Sequence, residues 1–450
     1  MARIFKPARG KSRQASKAKQ HGEILSVSID NVDHQGRGVA RHEGAVIFVD
    51  GGLPDDQAKV KITHKKSRYW SGHIHSVEQP SPMRVTPFCE YYQQCGGCQL
   101  QHADSDGIFA AKQQAVDSLL QRVSAQQWDW SAPLQARTTG YRRKSRLAVD
   151  ARNRNDIRLG FRGKSSKSVI SIQHCGIMRA TLSDMLPPLQ ALMQSLKSPS
   201  HIGHISMLEG EGEIPLQLCF RVTRQLSQQD IDTLSSFATA QNVHVVLEIK
   251  PNQFISLNRE MQYIEYCPEP NIRLAVAPND FIQVNPDINQ AMVAQAIDWL
   301  ALTKQDHVVD LFCGLGNFSL PIANRVASVT GVEGVTEMVQ RASSNAQKNG
   351  IDNATFVQAD LSEGATFSGT LFKQCSKVLL DPARDGAQNV VAHLGKTNVS
   401  HVVYVSCNPA TFVRDAEILT NNGFQLQKVS LMDMFPQTSH TELMALFVRT

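Results

Sequence analysis

The run Val308-Val309-Asp310-Leu311-Phe312-Cys313-Gly314-Leu315-Gly316-Asn317-Phe318-Ser319 decides the fold. It reads as a buried strand, a glycine turn and the start of a helix. Glycines in such a turn let the backbone approach a ligand closely. Further on, the apolar runs Val329–Glu333, Phe356–Asp360 and Val378–Asp381 also end on acids. Strand, turn, helix and strand repeat from about residue 271 to the end, which predicts a doubly wound α/β fold with a parallel sheet. The carboxyl ends of its strands share the ligand edge, so Asp310, Glu333, Asp360 and Asp381 are expected there together. Glu333 suits a ribose diol, and Asp360 suits an adenine amino group. No lysine follows the turn, which excludes a P-loop, and Ser319 stands near the place of a dinucleotide site's third glycine. Several acids without a phosphate-binding cation point to a nucleoside with a cationic centre, such as S-adenosylmethionine.

Two later segments add reactive groups to that edge. Tyr404-Val405-Ser406-Cys407-Asn408-Pro409-Ala410-Thr411 puts a thiol just past a β-branched strand. A lone cysteine in a strand usually packs. Here Asn-Pro stops the strand and turns the side chain toward the cleft, and a helix N-terminus beside it is expected to lower its pKa. Pro436-Gln437-Thr438-Ser439-His440-Thr441-Glu442 precedes the terminal strand, and an acid there is often only a solvated charge. A thiol and a carboxylate are what methylation of uracil requires. Carbon 5 of the ring is too weak a nucleophile to attack a sulfonium methyl. A thiolate adding at carbon 6 makes it nucleophilic, and a base must then remove the carbon-5 proton. Cys407 and Glu442 fit those two roles.

With 42% apolar and 19% charged residues, the 450-residue chain is globular in composition, long enough for roughly three domains. No run is apolar enough to span a membrane as a helix, and no signal peptide is visible, so a cytoplasmic protein is expected. The net charge is +5, yet the first twenty residues alone carry seven bases and no acid. That basic arm reads as disordered and suited to a polyanion. Residues 21–79 show about five short strands with turn chemistry between them, a small barrel of the OB type. With its arm the barrel is read as RNA-binding, Tyr69 and Trp70 being candidates to stack on bases. Pro80, Pro82 and Pro87 mark a linker. A helix is expected near Asp106–Val123, with Ala110, Ala111, Ala115, Leu119 and Leu120 on its apolar face. Residues 132–270 mix strand and helix without a strong period.

Nine cysteines in such a chain do not form a disulfide framework. Cys89-x5-Cys95-Gly96-Gly97-Cys98 gathers three thiols that only a cation or cluster would stabilise together. Cys175, flanked by His174 and Gly176, is the best fourth ligand. Zinc would draw on His102 or His174, whereas an iron–sulfur cluster takes four thiolates at irregular spacing. Spacing alone leaves both open. Cys219, Cys267 and Cys375 read as packing residues, and Cys313 has no assigned chemistry.

Taken together, these motifs resemble the RNA (uracil-C5) methyltransferase family. The likeness runs through Phe281-Ile282-Gln283-Val284-Asn285, the Asp310–Phe318 turn, Gly331-Val332-Glu333, Asp381-Pro382-Ala383-Arg384, Ser406-Cys407-Asn408-Pro409 and His440-Thr441-Glu442. The cysteines, Gln101-His102 and Tyr141-Arg142-Arg143-Lys144 extend it. It implies a Rossmann-like class I methyltransferase domain over 271–450 and a TRAM barrel of OB-like form over 21–79. Between them, over 80–270, it implies a central α+β domain with a [4Fe-4S] cluster on Cys89, Cys95, Cys98 and Cys175. It implies adenosylmethionine contacts at Gln283, Phe312, Asn317, Glu333, Asp360 and Asp381, Cys407 as nucleophile and Glu442 as base. A barrel and a cluster together are similar to a branch acting on 23S rRNA. The implied partner is a flipped-out uridine in a single-stranded or loop segment of that RNA, met by a monomer with no membrane contact. Ala383 departs from many relatives, which have a second proline there; the change bears on loop stiffness more than on chemistry.

Overall fold

The computed structural model describes residues 22–123, 128–361 and 371–449. The expected basic arm lies outside the described residues. The chain divides into two compact units: one runs up to Arg84, and the other runs from Val85 onward and takes in His34–Gly36.

The first unit is a closed five-stranded barrel, ordered Ile24–Val32, Gly38–His42, Ala45–Asp50, Tyr69–Gln79, Gln57–Lys65. Closure comes from the antiparallel pairing of the first and last of these, Leu25 opposite Val60. Alternation fills the inside: Val27, Ile29, Ala40, Ile47, Val49, Val60 and Ile62 form the core. Tyr69 and Trp70 already carry lysines on their faces, with Lys65 Nζ 3.8 Å from the Trp70 ring centre and Lys66 Nζ 5.2 Å from that of Tyr69.

The second unit is built on an eight-stranded sheet. Its order is Ala354–Gln358, Ser328–Glu333, His307–Leu311, Lys377–Leu380, His401–Ser406, Glu442–Val448, Gln425–Met432 and Asp129–Trp130. The first five strands are parallel. Strand order reverses between His307–Leu311 and Lys377–Leu380, which opens a crevice at their carboxyl ends. The strand Glu442–Val448 runs antiparallel to His401–Ser406, with Leu443 opposite Ser406. Its beginning therefore meets the end of its neighbour, and Glu442 and Cys407 arrive at one edge from opposite directions. Apolar clusters cover the two faces of the sheet.

A seven-stranded sheet spans Lys144–Ser256, and the helices Leu186–Ser195 and Gln228–Ala240 contribute to its core. The hairpin Ile264–Glu269 with Ile272–Val276 packs into the core on one face of the eight-stranded sheet, so residue 270 lies in the turn of a hairpin. The helix expected near 106–123 is Ser105–Leu120, capped by Asp104, whose carboxylate accepts from Gly107 N at 2.8 Å. Its buried stripe is Ile108, Phe109, Lys112, Val116 and Leu120, and Ala110 is exposed. The larger side chains took the core face, and a buried lysine sits among them.

Candidate active site

The glycine turn is shaped by left-handed backbone. Phe312, Gly314 and Gly316 have φ of +66°, +55° and +91°. Such angles suit glycine and strain phenylalanine, a cost of the kind concentrated at functional sites. The turn folds back on the next strand end: Gly314 N donates to Glu333 Oε2 at 3.1 Å, and Val335 N donates to Oε1 at 3.0 Å. Both carboxylate oxygens of Glu333 are thus oriented before any ligand arrives. Gly331, in that strand, leaves no room for a side chain, since a Cβ there would lie 2.6 Å from Phe356 and 2.9 Å from the Cys313 sulfur. Asn317 is locked in a reciprocal amide pair with Asn289, at 2.9 and 3.1 Å, and accepts from Tyr266 OH at 3.1 Å.

One cavity of about 510 Å³ lies at this edge, and Gln283, Phe312, Asn317, Glu333, Asp381, Cys407 and Glu442 all line it. Seven of the eight residues expected for catalysis and cofactor are therefore gathered in one space. Asp360 is not among those lining it. Asp310 is not either: it is fully buried beneath the turn, where Ser319 Oγ donates to its carboxylate. The expectation of four acids facing a ligand reduces to Glu333 and Asp381, because Asp310 serves to hold the turn to the helix.

Electrostatics inside the cavity run against free charge. Burial pushes Asp381 up to about 7, and burial with the nearby Asp381 charge pushes Glu442 up to about 8. The Cys407 thiol is pushed up to about 11 by burial and by the Glu442 and Asp381 carboxyls, with Arg384 opposing. This corrects the expectation of a lowered thiol. The helix Pro409–Asn421 does begin just beyond it, capped by Asn408, but partial burial and two carboxyls outweigh the helix end. Arg384 also donates from Nη2 to His440 Nδ1 at 3.2 Å, and burial with Arg384 lowers His440 to about 4, so that ring is neutral. The Arg384 carbonyl accepts from Asn408 Nδ2 and Thr411 Oγ1, both at 3.0 Å, tying the Asp381–Arg384 loop to the Cys407 segment.

Gln283 is held from the central sheet, where buried Arg143 donates from Nε to its carbonyl at 3.0 Å. That explains part of the Tyr141–Lys144 motif. The motif's arginine also reaches Glu211 at 3.0 Å and lies over the Tyr266 ring.

Cys89, Cys95, Cys98 and Cys175 line a second cavity of about 470 Å³, and all four are free thiols. Each of the six thiol pairs is close enough to interact electrostatically, and burial pushes Cys98 up to about 12. Gly96 N donates to the Arg162 carbonyl at 2.9 Å, and a Cβ at Gly96 would collide with that oxygen, so the first glycine lets the loop lie against the strand. Among the described residues no group of three or more His, Cys, Asp or Glu stands arranged to hold a metal ion. His102 bonds Tyr92 OH at 2.6 Å, and His174 stands 3.5 Å from Glu90. Four thiols lining one cavity are a donor set that either a zinc ion or an iron–sulfur cluster takes.

Sequence reasoning quoted Arg384 and His440 without giving them roles. It missed Tyr266, Asn289 and Lys112, whose partners lie far away along the chain. Lys112 carried one signal, a charge inside an otherwise apolar helical stripe.

The sheet order, the turn and the cavity define a Rossmann-like methyltransferase joined to a TRAM barrel. The chain belongs to the tRNA (Uracil-5-)-methyltransferase family, whose model matches residues 105–450, and the TRAM domain model matches residues 18–74. The 23S rRNA (uracil(1939)-C(5))-methyltransferase RlmD of Vibrio cholerae serotype O1 is 41% identical over 454 residues, covering 100% of both chains. The enzyme of the same name from Photobacterium profundum is 40% identical, covering 100% of this chain and 97% of its own. Among solved structures, the Pyrococcus abyssi tRNA (uracil-54, C5)-methyltransferase in complex with S-adenosyl-L-homocysteine shares the fold, with a TM-score of 0.72 at 20% identity, covering 94% of this chain and 100% of that one. Among the described residues no helix is long and apolar enough to cross a membrane.

Proposed function

We propose that this chain methylates carbon 5 of a uridine in 23S rRNA, acting as a cytoplasmic monomer on a base flipped out of its stack. The observation that carries the mechanism is the cavity at the sheet edge, where Cys407 and Glu442 share one space with the oriented Glu333 carboxylate. S-adenosylmethionine, when bound, supplies an electrophilic methyl group. Gln283, Phe312, Asn317, Glu333 and Asp381 would hold it, and Asp360, which does not line the cavity, is kept for the adenine end only as the family likeness implies. Cys407 adds through sulfur to carbon 6, which raises the electron density of carbon 5. Glu442 then takes the carbon-5 proton, the carbon–sulfur bond breaks, and the thiolate is returned. Burial holds both side chains protonated at neutral pH before ligands bind. Glu442 therefore loses its proton to solvent when the sulfonium binds, which frees it to take the carbon-5 proton later. The Cys407 thiol gives its proton to water as its sulfur adds to the ring.

A [4Fe-4S] cluster on Cys89, Cys95, Cys98 and Cys175 completes the reading. The chemistry above needs no electron, so its contribution would be to cross-link two distant segments. The relatives' names specify uracil 1939, and the equivalent uridine is the first position to map. The test is incubation with unmodified large-subunit rRNA and labelled methyl donor, followed by mass spectrometry of nuclease fragments. Label on one uridine is the expected result. Label on cytidine, or on none of the RNA, overturns the proposal.

A further inference from the structure

The segment that delivers Glu442 is held from outside its own sheet. Four carbonyls of residues 436–440 accept hydrogen bonds from residues 99–141. Tyr141 OH donates to Pro436 O at 3.1 Å. Gln99 N and Leu100 N both donate to Gln437 O, at 2.9 and 3.0 Å. Lys112 Nζ donates to Thr438 O and His440 O, each at 2.9 Å. Gln99 also accepts from Ser439 N at 3.3 Å through its side chain. Gln437 itself sits at φ +69°, a left-handed conformation that a glutamine adopts only when its surroundings impose it.

We propose that Lys112 is a positioning residue for Glu442, its ammonium holding the approach segment in the one conformation that presents the carboxyl to the ring. The inference rests on Glu442 being the base. Lys112 is buried and its helix is apolar around it, so its charge is not there for solubility. A buried ammonium needs strong acceptors, and two carbonyls lying four and two residues before Glu442 supply them. Removing it leaves both carbonyls buried without that donor and frees a segment already under backbone strain. Its two hydrogen bonds go to the backbone that leads into Glu442, so it acts by placing that residue. The Gln99 and Leu100 amides add to the same grip and immediately follow Cys98, so the loop bearing the cysteines and the segment bearing the base are one hydrogen-bonded assembly.

A merely structural lysine would lower every step together. A positioning lysine slows the step that uses Glu442. Lys112→Met is therefore compared with the parent protein in single-turnover reactions that separate methyl transfer from release of the covalently attached RNA. Release is expected to slow about 10- to 100-fold, the range for a displaced catalytic group. Adduct formation should stay within a few-fold, and the KM for adenosylmethionine should stay within twofold. Lys112→Arg, which keeps the charge and donors, should recover most of the rate. Equal loss in both steps, or unchanged release, overturns the inference. Should Lys112→Met not yield folded protein, Lys112→Gln, able to serve one carbonyl, is held to the same criteria. Glu442→Gln runs alongside. If it accumulates adduct and Lys112→Met does not, the positioning role fails and the base assignment stands. If Glu442→Gln accumulates none, the base assignment fails and takes this inference with it.

Discussion

Binding of a sulfonium to this cavity should expel protons. Without ligand, Asp381 titrates near 7 and Glu442 near 8, each raised by burial. At pH 7 the first is then about half protonated and the second about nine-tenths protonated. A positive charge brought against them favours their ionised forms, because attraction between unit charges is strong where water is excluded. Full ionisation of both would release about 1.4 protons at pH 7 and nearly 2 at pH 6. Proton release makes affinity rise with pH. Adenosylmethionine should bind tens of fold tighter at pH 7 than at pH 6, and the gain should level off above about pH 9, once both groups are ionised without help. Isothermal titration at pH 7 in buffers of different ionisation enthalpy counts the protons directly. Adenosylhomocysteine, which lacks the charge, should release far fewer. Asp381→Asn and Glu442→Gln should each subtract their own share. A binding enthalpy independent of buffer, or equal proton counts for the two ligands, would refute the reasoning.

Three other outcomes follow from the same geometry. The ligand-free protein should melt higher near pH 5 than near pH 8, read by calorimetry. Asp310, Asp381 and Glu442 all have raised folded pKa values, so the folded state holds protons that the unfolded chain has lost, and stability falls as pH rises from the ordinary carboxyl range through those values. Gly331→Val should raise the KM for adenosylmethionine at least about tenfold, because the new side chain displaces Phe356 or Cys313 and with them the strand end that orients Glu333. Deleting residues 2–20 should flatten the log–log salt dependence of RNA binding by about five units if the seven bases each meet a phosphate of a single strand. An unchanged slope would mean a solvated tail.

The catalytic half was legible because its chemistry lies at strand ends. A parallel sheet puts the residues just past each strand on one edge, and Glu333, Asp381 and Cys407 could be placed there from apolar runs ending on a polar group. Asp310 obeyed the same pattern and was misplaced. Its strand stops one residue later, so the side chain points under the turn toward Ser319. The thiol's pKa was misjudged for a related reason: a following helix is visible in sequence, whereas burial beside two carboxyls is a tertiary fact. The central region stayed opaque. Its sheet joins strands whose order does not follow the chain, and Arg143 and Lys112 find partners 140 and 326 residues away. Tyr69 and Trp70, read as candidates to stack on bases, carry Lys66 and Lys65 over their rings, an intramolecular contact that sequence spacing does not reveal.

The central claim is that the Cys407 sulfur bonds to the pyrimidine during turnover. Substituting 5-fluorouridine at the target site removes the proton that Glu442 would take, so the adduct should persist after methyl transfer. Protease and nuclease digestion followed by tandem mass spectrometry should then find methylated fluorouridine attached to the peptide containing Cys407, and Cys407→Ala should form no adduct. Attachment at any other residue, or full turnover by Cys407→Ala, would contradict the account.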